Sequence, residues 1–268
     1  MTAQFGEVLD SLRRDGSDWV ANVGEDWSQG RTIFGGLQVA LAVRAMRGVM
    51  TGNPGAPLRS VQATFVGPLP FGADIRLRAE LLRTGKSASH ARCDLLHDGA
   101  VACTVAAIFG APPPSSIALE IPRPVIDVDP ETLTDLPWIP GVTPALVQHI
   151  QVRWARGTPT STGQREPHSL VFARLLDRRC TAEDALIALA DSIPTPAQSM
   201  LSKRAPVSSL NWMLELIGDP GLLDREQWAL IGTEVRAGMD GYLSQTSVLW
   251  GPTGHAFSVS HQSVAIFG

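Results

Sequence analysis

Cysteine is scarce in this chain: Cys93, Cys103 and Cys180 are all there are in 268 residues. An odd, sparse set excludes a disulfide scaffold, shows no metal-ligand spacing and fits a reducing cytoplasm. A large charge of either sign is missing too. The net charge of −4 provides no basic patch or stripe, so no nucleic-acid partner is expected. No window reaches the roughly 18 apolar residues of a membrane span. Residues Met1 to Leu12 lack a basic start followed by an apolar core, so no signal peptide is expected. A Gly-x-Ser-x-Gly turn is absent, which argues against a serine hydrolase of that type. The histidines (His90, His97, His149, His168, His255 and His261) are scattered, so neither a metal nor another cofactor is expected. What remains is the composition of a cytosolic globular protein, 44% apolar and 18% charged, long enough for one large domain or two ordinary ones.

The stretch with the strongest character is Gly35-Gly36-Leu37-Gln38-Val39-Ala40-Leu41-Ala42-Val43-Arg44-Ala45-Met46, led by Gly30-Arg31-Thr32-Ile33-Phe34. Small or apolar residues surround almost the whole circumference, which predicts a buried helix over 36–50. Gly52-Asn53-Pro54-Gly55 is a strong stop. The glycines at its start allow close approach just where the first helical N–H groups have no partner.

The period then changes. Runs at 60–66, 74–82, 89–96 and 101–109 read as strands, the second alternating almost strictly. Asp98-Gly99 between the last two is a hairpin signal. Residues 111–144 differ in kind, holding nine of the chain's 20 prolines and reading as a semi-extended linker.

Beyond it the pattern returns. Strands are expected at 150–154 and 169–176, and Thr181-Ala182-Glu183-Asp184 is a capping-box pattern opening a helix through Ala190. Strand-like runs follow at 208–215, 228–236, 242–250 and 255–267. The first half closes Val105-Ala106-Ala107-Ile108-Phe109-Gly110 and the second Ser263-Val264-Ala265-Ile266-Phe267-Gly268. We read an internal duplication: an α+β chain with an N-terminal unit at 1–110, a Pro-rich linker at 111–144 and a C-terminal unit at 145–268. The two units pair as a pseudo-dimer.

Aligning the halves by their endings sets Gly36 near Asp191, Ser60 opposite Ser209 and Thr104 opposite Gln262. The second half alone then carries an acid, a hydroxyl and an amide. Each has an ordinary reading as a cap, a strand serine or a solvated amide, and the three together point to one retained site.

With Arg31 to Gly36, Leu189-Ala190-Asp191-Ser192, Ser208-Ser209-Leu210-Asn211 and Gln262 in this order, the chain resembles the TesB-like type II acyl-CoA thioesterases. That family has a double-hotdog fold, in which each unit is an antiparallel sheet wrapped around a central helix. The resemblance implies an acyl-CoA substrate and a water activated by Asp191, Ser209 and Gln262. Backbone N–H groups at Gly35 and Gly36 would hold the oxyanion. A homo-oligomer is expected by analogy. The chain departs from the family in placing Leu37 and then Gln38 after the glycine pair, and in having Ser209 where Thr is common. Arg83 and Lys86, beside Gly85, are candidates to meet coenzyme A phosphates. A hotdog hydratase would want histidine near a central helix, and neither helix has one. The non-enzyme alternative is an acyl-CoA or acyl-ligand binding protein of the same fold.

Overall fold

The computed structural model describes residues 2–51 and 55–267; the stop signal at 52–54 and the final glycine of the closing motif lie outside them. Helices α1 (Phe5–Asp10), α2 (Gly35–Arg47), α3 (Ala182–Ala190) and α4 (Ala197–Met200) accompany fourteen strands. In the first half these are β1 (Arg13–Asp15), β2 (Asp18–Asn22), β3 (Ser28–Gln29), β4 (Thr32–Ile33), β5 (Leu58–Phe65), β6 (Asp74–Thr84), β7 (Ala88–His97) and β8 (Ala100–Gly110). In the second they are β9 (Ile150–Arg156), β10 (His168–Leu175), β11 (Val207–Leu216), β12 (Ala229–Met239), β13 (Tyr242–Trp250) and β14 (Ala256–Ile266).

Twelve strands form one antiparallel sheet in the order β1-β2-β6-β7-β8-β5-β11-β14-β13-β12-β10-β9. Read outward from the β5–β11 seam, the two halves have the same order. The duplication is therefore built into the sheet, and the α+β architecture expected from the sequence is the one observed. Asp98 and Gly99 turn the β7–β8 hairpin with φ of 50° and 77°, the left-handed pair a two-residue turn requires.

Strand register corrects the residue correspondences drawn from the chain endings. Leu58 pairs with Phe109 and Ser60 with Ile108, leaving Arg59 as a bulge. Ser209 pairs with Val264 and Asn211 with Ser263, leaving Leu210 as the matching bulge. The counterpart of Ser209 is therefore Leu58, not Ser60. Since Val61 faces Ala107 and Trp212 faces Gln262, the counterpart of Gln262 is Ala107, not Thr104. A one-residue error of register moves a side chain to the other face of a sheet, and Thr104 indeed faces Thr64 and Asp94. The helix C-caps are Gly48 and Asp191, so Gly36 is not the counterpart of Asp191 but its contact partner.

Helix α2 is buried from Gly36 to Val43 and again at Ala45 and Met46. It packs beside α3, to which it runs antiparallel. A methyl group on Gly36 would stand 3.3 Å from the Cα of Ala188, so a small residue is needed for this approach. At the other end of the pair, Arg44 meets Asp184 at 2.8 Å and Arg47 meets Glu183 at 2.7 Å. Asp184 also closes the capping box by accepting from the Thr181 N–H and hydroxyl.

The Pro-rich segment contains one short 3-10 turn, Pro130–Thr132, and no strand. Its Ile121, Ile126 and Leu133 pack on an outer-face cluster of Leu170, Phe172, Trp228, Leu230 and Trp250. The indole N–H groups of Trp250 and Trp228 donate to the Ile121 carbonyl and to Glu131, each at 2.8 Å.

Candidate active site

Asp191 is the C-cap of α3, with φ −109° and ψ 3°. The antiparallel helix pair brings it to the N-terminus of α2. Its Oδ2 lies 2.6 Å from where a Gly35 Cβ would be, and the Gly36 N–H donates to its carboxylate. A carboxylate is favoured at the positive start of one helix and disfavoured at the negative end of another, and Asp191 touches both. On the sheet side, Gln262 Nε2 donates to Asp191 Oδ1 at 2.7 Å.

Protein encloses Asp191 while leaving it a partial opening to solvent. Desolvation pushes its pKa up to about 7, against the opposing effect of the hydrogen bonds from Gln262 and Gly36. Burial outweighs two donors, and the result is a carboxyl group that changes charge near neutrality.

Asp191 and Gln262 are thus in direct contact, with Gly35 and Gly36 against them. Ser209 has no hydrogen bond to either among the described residues. It pairs with Val264, which shares a strand face with Gln262, so Ser209 and Gln262 are diagonal neighbours at a separation of about 7–8 Å. Beyond the Asn211–Thr64 pair, β11 carries Ser209 toward the end of β5 where Phe65 touches Gly35. The structure does not bring Arg83 and Lys86 here. They are exposed at the β6–β7 turn, beside the Leu58 end of β5, about 24 Å along the strand from Phe65.

Gln245 is the residue that sequence reasoning missed. It sits opposite Gln262 on β13, is buried, and donates through Nε2 to Gln262 Oε1 at 2.7 Å. That bond fixes the orientation of the Gln262 amide, so that Nε2, and not Oε1, faces Asp191. The available signal was alternation: Leu243, Gln245, Ser247 and Leu249 share one strand face, and Leu249 is core.

In the other half, the counterparts of Ser209 and Gln262 are Leu58 and Ala107. Ala91, which pairs with Ala107, is the counterpart of Gln245. Leu58, Ala91 and Ala107 are all buried. The pseudo-dimer therefore has one polar site and one apolar relic.

Cysteine chemistry does not compete with it. All three thiols are free and buried, and burial raises their pKa values, to about 12 for Cys103 and about 11 for Cys180. Among the described residues, no cluster of three or more His, Cys, Asp or Glu side chains could hold a metal ion. No described helix is long and apolar enough to cross a membrane.

One site shared by two fused sheet-and-helix units defines the class, and the solved structures agree on the fold. A hot dog protein of unknown function from Alicyclobacillus acidocaldarius superposes with a TM-score of 0.88 at 20% identity, covering 100% of this chain and 99% of the other. The tesB protein of Mycobacterium avium subs paratuberculosis gives 0.80 at 16% identity, covering 99% and 100%. An acyl-CoA thioesterase II, TesB2, from Mycobacterium marinum gives 0.77 at 14% identity, covering 98% of each chain. No curated protein matches in sequence. Residues 23–110 match the acyl-CoA thioesterase N-terminal domain and residues 130–266 the acyl-CoA thioesterase C-terminal domain. The chain belongs to this thioesterase family and is an acyl-CoA thioester hydrolase built from two tandem hotdog units.

Proposed function

We propose that the chain hydrolyses its acyl-CoA by water attack with Asp191 as the general base. The observation that carries this reading is the Gln245–Gln262–Asp191 chain of hydrogen bonds, which ends on a carboxyl group poised near pH 7. A base is most effective with a pKa near the working pH. Asp191 takes a proton from water as the water oxygen forms a bond to the thioester carbon. Gln262 and Ser209, on the same sheet face, hold that water. The negative charge that develops on the carbonyl oxygen lies at the start of α2, whose first N–H groups have no partner within the helix. Because the Gly36 N–H serves Asp191, Gly35 is the principal oxyanion donor and Gly36 steadies the base. The tetrahedral intermediate collapses with cleavage of the C–S bond, and the proton on Asp191 passes to the thiolate. The products are a carboxylic acid and coenzyme A thiol.

The same proposal takes units 1–110 and 145–268, joined by 111–144, as the functional halves of a cytoplasmic homo-oligomer. The alternative, an acyl-CoA binding protein without turnover, is disfavoured by the polar groups confined to one half, since polar groups buried without use are costly. The test is thiol release by wild type and by Gln262→Ala. Loss of about 10²–10³ in kcat supports the assignment, whereas acyl-CoA binding with no turnover by wild type would establish the binding reading.

A further inference from the structure

The inner face of the second half is more polar than a packed core needs. One row of side chains crosses four neighbouring strands: Ser169 pairs with Thr233, Thr233 with Ser247, and Ser247 with Ser260. Ser169, Thr233 and Ser260 are buried, with exposures of 4%, 3% and 4%. The row is on the inner face because Ser260 also pairs with Leu214, a core residue. Within it, Thr233 and Ser247 share a hydrogen bond of 2.9 Å, while Ser169 Oγ is buried without a partner. The next row along the strands, roughly 7 Å away, is Gln245 and Gln262. Gln245 Oε1 there is buried without a partner as well.

The first half supplies an internal control. By the bulge correspondence, Leu214 matches Ala63, which pairs with Val105. Val105 pairs with Cys93, and Cys93 with Ala79. At the places of Thr233, Ser247 and Ser260 the same scaffold therefore has Ala79, Cys93 and Val105, with no hydroxyl; the place of Ser169 falls just outside β2, at the exposed Ser17. The fold does not require hydroxyls at these three places, and burying Ser169 Oγ and Gln245 Oε1 without partners is unfavourable. The hydroxyls of Thr233, Ser247 and Ser260 are confined to the half that holds Asp191, one row from Gln262.

We propose that the acyl group cleaved at Asp191 carries a hydroxyl a few carbons beyond the thioester carbonyl, received where Gln245 Oε1 lies beside Ser247 and Ser260, with Thr233 holding Ser247. The inference rests on the thioesterase reading and deepens it by naming the substrate class, hydroxylated short acyl-CoAs. A substrate hydroxyl donates to Gln245 Oε1 and accepts from Ser247, two residues along the same strand, or from Ser260 on the neighbouring strand. A plain alkyl chain leaves Gln245 Oε1 unpaired, which discriminates against it.

The experiment compares plain acyl-CoAs of short and medium length with their mid-chain hydroxylated counterparts, on wild type, Thr233→Val and Ser247→Ala. Two readouts are taken: kcat/KM for wild type and the two row variants, and the Kd ratio of each pair on Asp191→Asn protein. The expected result is that the hydroxylated member of at least one pair is favoured about tenfold. That preference shrinks or inverts in both row variants. Equal or better use of the plain member at every length, in wild-type kcat/KM and in Kd on Asp191→Asn protein, overturns the proposal and leaves the thioesterase reading standing. Absence of turnover with any pair sinks the thioesterase reading instead, and the Kd ratio then still decides the hydroxyl preference. The wild-type ratios need no variant, so they decide the matter even where Thr233→Val protein fails to fold.

Discussion

Replacing Asp191 by asparagine removes a charge that the folded protein resists near neutral pH. Desolvation raises the folded pKa of Asp191 to about 7, while in the unfolded chain it returns to the ordinary value near 4. Between these values the folded state holds the proton more tightly than the unfolded state. The contribution of Asp191 to stability is therefore greatest below about pH 4, falls as pH rises to about 7, and is flat above that. The swing amounts to roughly 4 kcal/mol, a large part of the 5–15 kcal/mol typical of native proteins. Asparagine cannot titrate, and Gln262 Nε2 can still donate to its oxygen. Its amide, however, gives the Gly36 N–H no second acceptor, a loss of about 1–3 kcal/mol at every pH. The difference in stability between Asp191→Asn and wild type should therefore be unfavourable at low pH and become favourable at high pH. Urea unfolding of both proteins from about pH 4 to pH 8 measures this, and other titrating groups cancel in the difference. A difference flat within about 1 kcal/mol would mean that Asp191 ionises normally, and the physical basis for calling it the base would be gone.

Gly35→Ala should place its methyl 2.6 Å from Asp191 Oδ2 and 3.1 Å from the Phe65 ring. The carboxylate is then displaced, and thiol-release kcat should fall about 100-fold while circular dichroism stays unchanged. Gln245→Leu frees the Gln262 amide to turn, so kcat should drop about tenfold at unchanged KM. The same substitution weakens a bond that holds Asp191 ionised, so the rising limb of the pH–rate profile should move above about 7. Asp184→Ala removes one of the two carboxylate partners of Arg44, leaving Asp10, together with one half of the capping box, costing about 1–3 kcal/mol. At about 2–4 °C per kcal/mol, thermal melting should show a Tm lower by on the order of 5 °C.

Much of the fold could be read from local patterns because each pattern has a local cause. The alternation at 74–82, Asp98-Gly99 and the Thr181 box became β6, a two-residue turn and the start of α3. What the sequence hid is register. Arg59 and Leu210 bulge at matching places, so the shift came from the chain endings: the register matches Phe109 to Val264 and not Phe267, three residues from the correspondence that their similar closing motifs suggest. The same limit concealed Gln245, since a glutamine in a strand reads as solvated until its neighbour is known. The Asp191–Gln262 contact was anticipated only through motif order. Its tie to Gly36 depends on how two helices pack, which no local signal encodes.

Asp191 as the base is tested most directly by thiol release from a panel of acyl-CoAs, with wild type and Asp191→Ala measured from about pH 5 to pH 9. The wild-type rate should rise through about pH 7, where Asp191 loses its proton. It should fall at least about 100-fold in the variant. Turnover that survives Asp191→Ala with the same pH profile would place the catalytic base elsewhere.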